Sequence, residues 1–144
     1  MKRTAQAHWS GDLKSGAGTV SMASGTLSNT PYSFHSRFEQ GKGTNPEELL
    51  AAAHGGCITM SLAGELTKAG TPPGHLQTTV TIHMDEIEGQ GHQIVGSVVE
   101  FVVEADGVDD AALQAALREA DEGCPFSALL KRAGATVDVS ARLA

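Results

Sequence analysis

Alternation of apolar and polar residues predicts β-strands at the start of the chain. Such alternation runs from Ala5 to Trp9 and again from Val20 to Met22, with a glycine-containing turn between the two runs. The segment from Tyr32 to Phe38 carries its aromatic residues at even positions, so we expect a third extended run with Arg37 on its polar face. A flexible, glycine-containing link follows, and the periodicity then changes.

The next segment has the period of a long helix. Asn45 is a good N-cap, Pro46 suits the first turn, and Glu48 lies where it completes a capping box with the cap residue. That leaves Glu47 without a structural role. Beyond the cap, apolar residues recur at helical spacing: Leu49, Leu50, Ala53, Cys57 and Ile58. We expect the helix to end near Gly70.

The Gly55-Gly56 pair is unusual inside this helix. Each glycine costs roughly 0.5–1 kcal/mol relative to alanine in a helix interior. The pair therefore indicates that another part of the structure, or a substrate, approaches the backbone closely. Packing against another helix is the simpler of these two interpretations.

The second half of the chain predicts a sheet and two shorter helices. The clearest alternation runs from Leu76 to Met84, and a second strand from Ile94 to Glu104 is apolar on one face and half apolar on the other. Such a strand is typical of the centre of a sheet. Three more elements follow: a helix capped by Asp109-Asp110, a helix opened by Cys124-Pro125, and a strand from Val137 to Leu143. The order of elements predicts a single α+β domain over residues 1–144.

Composition and charge argue against several classes of function. The chain has 144 residues, 40% of them hydrophobic, and a net charge of −7. That charge argues against nucleic acid and anionic membranes as partners, which both favour clustered basic residues. We expect no membrane span and no signal peptide, because no apolar run of suitable length is apparent. The expected location is the cytoplasm, where two cysteines do not form a structural disulfide framework.

The two cysteines are the candidate reactive groups, because the thiolate is the nucleophilic form and the ordinary thiol pKa is about 8.5. Cys124 is the better placed of the two on this argument, since it lies at the N-cap of a proline-led helix. Cys57 lies deep within its helix and needs a side-chain cation. The candidates are His54, one turn earlier, and Arg37, which a carboxylate such as Glu47 could aim at the thiol.

Simpler interpretations of these residues stay open. Cys57 fits a small core residue, Cys124 a helix cap, and Arg37 with Glu47 an ordinary ion pair. His54 and Cys57 have the spacing of two metal ligands on one helical turn, but no further ligand motif accompanies them, so we predict no metal site. A hydrolase that uses the same two residues is disfavoured, because one helical turn leaves little room for an activated nucleophile and its orienting group.

Four segments together resemble the OsmC/Ohr family of thiol peroxidases. They follow the family's order over almost the whole chain: Ala7–Lys14, Tyr32–Glu39, Gly43–His54 with Cys57 following, and Gly123-Cys124-Pro125 with Ser127 following. The Asn-Pro-Glu-Glu-Leu motif with its downstream cysteine, and the later Gly-Cys-Pro, are the most specific parts. The N-terminal part resembles the OsmC branch more than the Ohr branch.

The resemblance implies an OsmC-like fold, an intertwined homodimer with active sites at the subunit interface, and reduction of organic hydroperoxides without metal or other cofactor. It makes Cys57 the peroxidatic cysteine, Cys124 the resolving cysteine, Arg37 the catalytic arginine and Glu47 its acidic partner. This reverses the order that the helix-dipole argument gives the two thiols. The implied cycle passes through a Cys57 sulfenic acid and a Cys57–Cys124 disulfide, which a dithiol such as a lipoyl-bearing protein reduces.

The resemblance also implies a role in oxidative or osmotic stress defence. Apolar residues around the peroxidatic cysteine favour alkyl or fatty-acyl hydroperoxides over hydrogen peroxide: Leu50, Ala53, Ile58 and Met60. The alternative from a different class is a non-catalytic ligand-binding or stress-protective dimer, in which the cysteines are structural or sensory.

Overall fold

A computed structural model describes all 144 residues of the chain. In chain order the strands and helices are β1 (Ala5–Ser10), β2 (Ala17–Met22), β3 (Thr30–Tyr32), α1 (Phe34–Phe38), α2 (Pro46–Lys68), β4 (His75–Ile87), β5 (Gly91–Glu104), α3 (Asp110–Gly123), α4 (Pro125–Arg132) and β6 (Thr136–Leu143). This order confirms the predicted α+β class. The chain divides into two compact units, residues 1–49 and 50–144.

The first unit contains an antiparallel sheet in the order β1-β2-β3. The two alternating runs at the start of the chain form β1 and β2, as predicted. β1 is exposed along its whole length, whereas Gly18 in β2 is buried between its neighbours. The sheet edge is extended by a bridge between Tyr32 and Thr44, which leads the chain towards α2.

The predicted extended run from Tyr32 to Phe38 is wrong beyond β3, because the chain turns into the short helix α1. Ser33 caps this helix. Its hydroxyl accepts the Ser36 N–H at 3.1 Å, and the Ser36 hydroxyl accepts the Ser33 N–H at 2.8 Å, which forms a capping box. Arg37 therefore lies on a helix rather than on a strand face.

Helix α2 begins as predicted, since the Asn45 side chain accepts the Glu48 N–H at 2.8 Å. The helix is 23 residues long, and one face is buried at every fourth position: His54, Ile58, Leu62 and Leu66. We call these four residues the buried stripe of α2. By length and composition alone α2 would suffice to cross a membrane. Of its most apolar 18-residue stretch, 22% is buried inside the protein.

The second unit packs α2 and α3 on one face of a sheet in the order β4-β5-β6. The central position of β5 confirms the expectation from its two partly apolar faces. β4 and β5 form an antiparallel hairpin, and β6 joins β5 in parallel, a pairing that needs the crossover made by α3 and α4. The core residues are Ile58, Leu62, Leu66, Val99, Phe101, Val103, Leu113, Leu117, Ala120 and Cys124.

The close approach indicated by the glycine pair in α2 involves a strand, so the preference for helix packing is wrong. A Cβ atom on Gly55 would lie 3.2 Å from Cγ2 of Val80 on β4. A Cβ atom on Gly56 would meet nothing within 4 Å. Gly55 thus allows α2 to lie close to β4, while Gly56 borders an open groove of about 520 Å³.

We predict that Gly18→Ala destabilises the protein by about 1–3 kcal/mol, the usual cost of overpacking. The new Cβ atom would lie 2.5 Å from the His8 carbonyl oxygen and 2.5 Å from Cε1 of Tyr32, so the sheet must shift to admit it. Urea unfolding of both proteins measures this change. The control is Gly123→Ala at the end of α3, where the added methyl meets nothing within 4 Å. Equal stabilities of the two variants would show that the first sheet tolerates the methyl group.

Candidate active site

Helices α2 and α4 bring the two cysteines together. Cys57 lies in the fourth turn of α2 and is half-buried, whereas Cys124 directly precedes α4 and is fully buried. Both thiols are free, and they lie close enough for Cys124 to act on the pKa of the Cys57 thiol. Two free thiols in such proximity are a candidate redox pair.

Burial raises the pKa of the Cys57 thiol above its ordinary value, and the hydrogen bond and charge interaction with Cys124 raise it further. One interaction opposes them, because the backbone N–H of Phe126 donates to the Cys57 sulfur and favours the thiolate. No basic side chain is among the groups that act on this pKa. The second unit therefore keeps Cys57 protonated, and activation requires a positive charge.

The N-terminus of α4 acts on the pKa of Cys57. Phe126 is the second residue of α4, and its N–H is one of the unpaired donors of the first turn. Cys124 occupies the N-cap position, yet its side chain makes no capping hydrogen bond. The sequence did not predict that the N-terminus of α4 acts on the pKa of Cys57.

Arg37 and Glu47 form the predicted pair within the first unit. The Arg37 Nη2 donates to Glu47 Oε1 at 2.8 Å, and Nε lies 3.2 Å and 3.3 Å from the two carboxylate oxygens. Such a two-point contact fixes the plane of the guanidinium group as well as its position. The side chains are 37% and 17% exposed, so the pair is better shielded from water than an ordinary surface ion pair.

An apolar cleft of about 260 Å³ adjoins Arg37 in the first unit. We call it the aromatic cleft, and its lining residues are Trp9, Leu13, Tyr32, Ser33, Phe34, Arg37, Phe38 and Pro46. Its aromatic rings contact one another in pairs, with centroid distances of 5.5 Å for Trp9 and Tyr32 and 5.0 Å for Phe34 and Phe38. The cleft was not predicted, because the aromatic residues were assigned to the face of a strand.

His54 lies at a buried position that the sequence did not predict. It is fully buried, and its Nδ1 and Nε2 atoms each lie 2.9 Å from a serine hydroxyl, those of Ser97 and Ser127 respectively. Both serines are fully buried as well. Because both ring nitrogens are occupied in this way, His54 does not serve Cys57 as a cation, as a general base or as a second metal ligand. The sequence does contain one signal for the burial of His54, because this residue continues the four-residue spacing of the buried stripe.

Burial lowers the pKa of His54 below its ordinary value. Two charged groups modify this effect in opposite directions, since Asp121 favours the protonated form and Lys131 opposes it. These two residues are paired with each other at 2.5 Å. His54 is therefore a neutral, doubly hydrogen-bonded residue near neutral pH.

The model of the OsmC-like protein family matches residues 39–140 of this chain. The chain is 42% identical to the protein named peroxiredoxin OsmC of Escherichia coli K12 over 131 residues, which cover 91% of each chain. It is 31% identical to the organic hydroperoxide resistance protein of Xanthomonas axonopodis pv. citri over 88 residues, which cover 60% of this chain and 59% of the relative.

Solved structures share the fold at lower sequence identity. A crystal structure described as an organic hydroperoxide resistance protein OsmC from Legionella pneumophila matches with a TM-score of 0.74 and 20% identity, covering 100% of this chain and 97% of that one. An OsmC-like protein of unknown function from Vibrio cholerae matches with a TM-score of 0.78 and 14% identity, covering 99% of both chains. The predicted OsmC-like fold is confirmed by these two structures.

We predict that the protein loses stability as the pH falls from about 6.5 towards 5, because the unfolded chain then binds a proton that folded His54 excludes. The stability is fully present above the ordinary histidine pKa. Its decrease below that value is at most about 1.4 kcal/mol per pH unit for one proton. Urea unfolding at several pH values measures this slope, and His54→Gln should flatten it.

His75→Gln is the matched control for this measurement. It removes an exposed histidine at the start of β4 and leaves the buried one in place, so the acid-side loss should persist. Parallel pH profiles for the wild type and His54→Gln would contradict the prediction.

Proposed function

This chain belongs to the OsmC-like protein family, and we propose that it is a thiol-dependent peroxidase that reduces organic hydroperoxides to alcohols. The observation that carries the proposal is the proximity of two free thiols, Cys57 on α2 and Cys124 at the start of α4. Cys57 is half-buried and Cys124 is fully buried, so a hydroperoxide from solution would reach Cys57 first.

The broader prediction of a peroxidase-type redox enzyme is confirmed by the relatives, whose names are peroxiredoxin and organic hydroperoxide resistance protein. The keywords of antioxidant and stress response are supported by the same names. The mechanism, the reductant and the roles of individual residues are our proposals.

In the proposed cycle the Cys57 thiolate attacks one oxygen of the hydroperoxide and the O–O bond breaks. The departing alkoxide takes a proton and leaves as the alcohol, while Cys57 becomes a sulfenic acid. The Cys124 sulfur then attacks the Cys57 sulfur, the S–O bond breaks, and water leaves with the thiol proton. A dithiol reductant, for which a lipoyl-bearing protein is our candidate, restores both thiols by disulfide exchange.

Arg37 supplies the positive charge that Cys57 lacks within its own unit. A guanidinium stays protonated at any working pH, and the two-point contact with Glu47 gives it a fixed direction. In this role Arg37 stabilises the thiolate and then the negative charge that develops on the departing oxygen. Glu47 acts on the reaction only through Arg37.

Organic hydroperoxides suit the surfaces near these groups better than hydrogen peroxide does. The aromatic cleft presents apolar side chains directly beside Arg37, where an alkyl or aryl substituent would bury apolar area. Of the apolar residues expected around Cys57, Ile58 lies in the core and Met60 is 78% exposed. We therefore assign substrate preference to the aromatic cleft more than to the neighbours of Cys57 on α2.

The functional form is a homodimer of one OsmC-like domain over residues 1–144. Met60 on α2 and Leu129 on α4 are 78% and 57% exposed, and a second copy would cover such large apolar side chains beside both cysteine-bearing helices. The net charge of −7 supports a protein without nucleic-acid or membrane partners. We place it in the cytoplasm, where reduced thiols persist.

We predict that one equivalent of cumene hydroperoxide converts the reduced protein to a form with a Cys57–Cys124 cross-link. Peptide mass spectrometry without added reductant detects it, and the oxidised protein should run as a single chain on a non-reducing gel because the two thiols of one chain are in contact. Cys124→Ser should instead accumulate a sulfenic acid on Cys57 that dimedone traps. If both cysteines stay free, the non-catalytic ligand-binding dimer becomes the better account.

We predict that Arg37→Lys lowers kcat/KM for cumene hydroperoxide on the order of a hundredfold with little change in the far-ultraviolet circular dichroism. Lysine keeps the charge but loses the planar fork that Glu47 orients. Arg118→Lys, on an exposed part of α3, controls for the exchange itself. Turnover at the wild-type rate in Arg37→Lys would rule out the proposed role of the guanidinium.

A further inference from the structure

His54 is the one polar residue in the buried stripe of α2. The other members of the stripe are apolar core residues, and a buried polar group is costly unless its hydrogen bonds are made. His54 meets this condition with two hydrogen bonds of 2.9 Å, one at each ring nitrogen. An apolar residue at this position would fill the core without any such requirement, so the histidine calls for a further explanation.

The two partners of His54 belong to different elements. Ser97 lies on β5, the central strand of the second sheet, and Ser127 lies in the first turn of α4. The residue before Ser127 is Phe126, whose N–H donates to the Cys57 sulfur, and Cys124 lies just ahead of them at the N-cap. The hydrogen bond between His54 and Ser127 therefore joins α2 to the turn of α4 that carries Phe126 and directly follows Cys124.

That turn has little polar support from side chains of its own helix. α4 has eight residues, too few to be stable as an isolated helix, and only Ser127 and Leu130 are buried. The N-cap residue Cys124 makes no side-chain capping bond, so the usual polar stabilisation of a helix start is absent. Cys124 and Phe126 meet the core through apolar surface, so Ser127 provides the buried polar contact of this turn.

We propose that His54 is a positioning residue, which holds the first turn of α4 through Ser127 so that the Cys124 thiol and the Phe126 N–H stay at the Cys57 sulfur. This inference rests on the proposed function, in which these two thiols form the redox pair. The step that depends on it is disulfide formation: the Cys124 sulfur attacks the Cys57 sulfenic acid, the S–O bond breaks, and water departs with the thiol proton.

Ser127→Ala and Ser97→Ala form a matched pair for the test. Both serines are fully buried, both bind His54 at 2.9 Å, and both substitutions remove one hydroxyl from the same imidazole. Only Ser127 lies on α4. Ser127→Ala should slow capture of the Cys57 sulfenic acid about three- to ten-fold, the effect of one hydrogen bond, while Ser97→Ala should change it by less than about twofold.

Stopped-flow mixing with cumene hydroperoxide, followed by dimedone trapping at timed intervals, gives the capture rate. The pH profile of Cys57 alkylation by iodoacetamide is the second readout, since losing the Phe126 N–H from the sulfur makes the thiolate harder to form. Ser127→Ala should shift this profile to higher pH, and Ser97→Ala should leave it in place. Equal effects of the two substitutions, or no effect of Ser127→Ala, would overturn the proposal.

Diamide separates this proposal from the proposed function, because it oxidises two thiols to a disulfide and is itself reduced to the hydrazine without any hydroperoxide. A wild type that ignores cumene hydroperoxide but closes the Cys57–Cys124 disulfide with diamide would refute the peroxidase alone. The ratio of the Ser127→Ala and Ser97→Ala diamide rates would then still test the positioning role. His54→Gln, which keeps donors and acceptors, should recover most of the rate that His54→Leu loses, and equal rates for both would count against the hydrogen bond.

Discussion

The proximity of the Cys57 and Cys124 thiols sets two chemical requirements of the proposed cycle against each other. Contact between the sulfurs favours disulfide formation, yet the same contact and the burial around it raise the pKa of the Cys57 thiol that must ionise first. A resolving cysteine held at a distance would avoid this conflict but would need a large movement after oxidation. The chain keeps the thiols together and depends on other groups to stabilise the thiolate, namely the Phe126 N–H and, in our proposal, Arg37.

The long periodic elements could be predicted from the sequence, and the short helix could not. Asn45, with Glu48 three residues later, indicates the start of α2. The two alternating runs in the second half of the chain predict β4 and the central strand β5. The segment around Phe34 and Phe38 failed because a spacing of four residues fits both a strand face and one helical turn. The Ser33–Ser36 capping box decides between them, and its signal covers only four residues.

Residues of the candidate site could be predicted where a short sequence motif indicates them, and could not be predicted where they depend on tertiary contacts. The family resemblance named both cysteines and the Arg37–Glu47 pair, which the structure contains as a two-point contact. The effect of the Phe126 N–H on the pKa of Cys57 depends on packing rather than on sequence adjacency, so it could not be predicted from the sequence. The bonds from His54 to residues 43 and 73 positions away could not be inferred from spacing at all.

The difference in exposure between the two sulfurs has a consequence for the reduction half of the proposed cycle. Cys124 is fully buried and Cys57 is half-buried, so a thiolate arriving from solution meets only one atom of the disulfide. The reductant would then bond to Cys57, and Cys124 would be the leaving group. The Cys57 sulfur would thus react first with the hydroperoxide and later with the reductant. A protein reductant would need access to this one atom only. If a small thiol formed a mixed disulfide with Cys57, the buried Cys124 thiol could displace it by disulfide exchange. Mixed disulfides at Cys57 would therefore be short-lived.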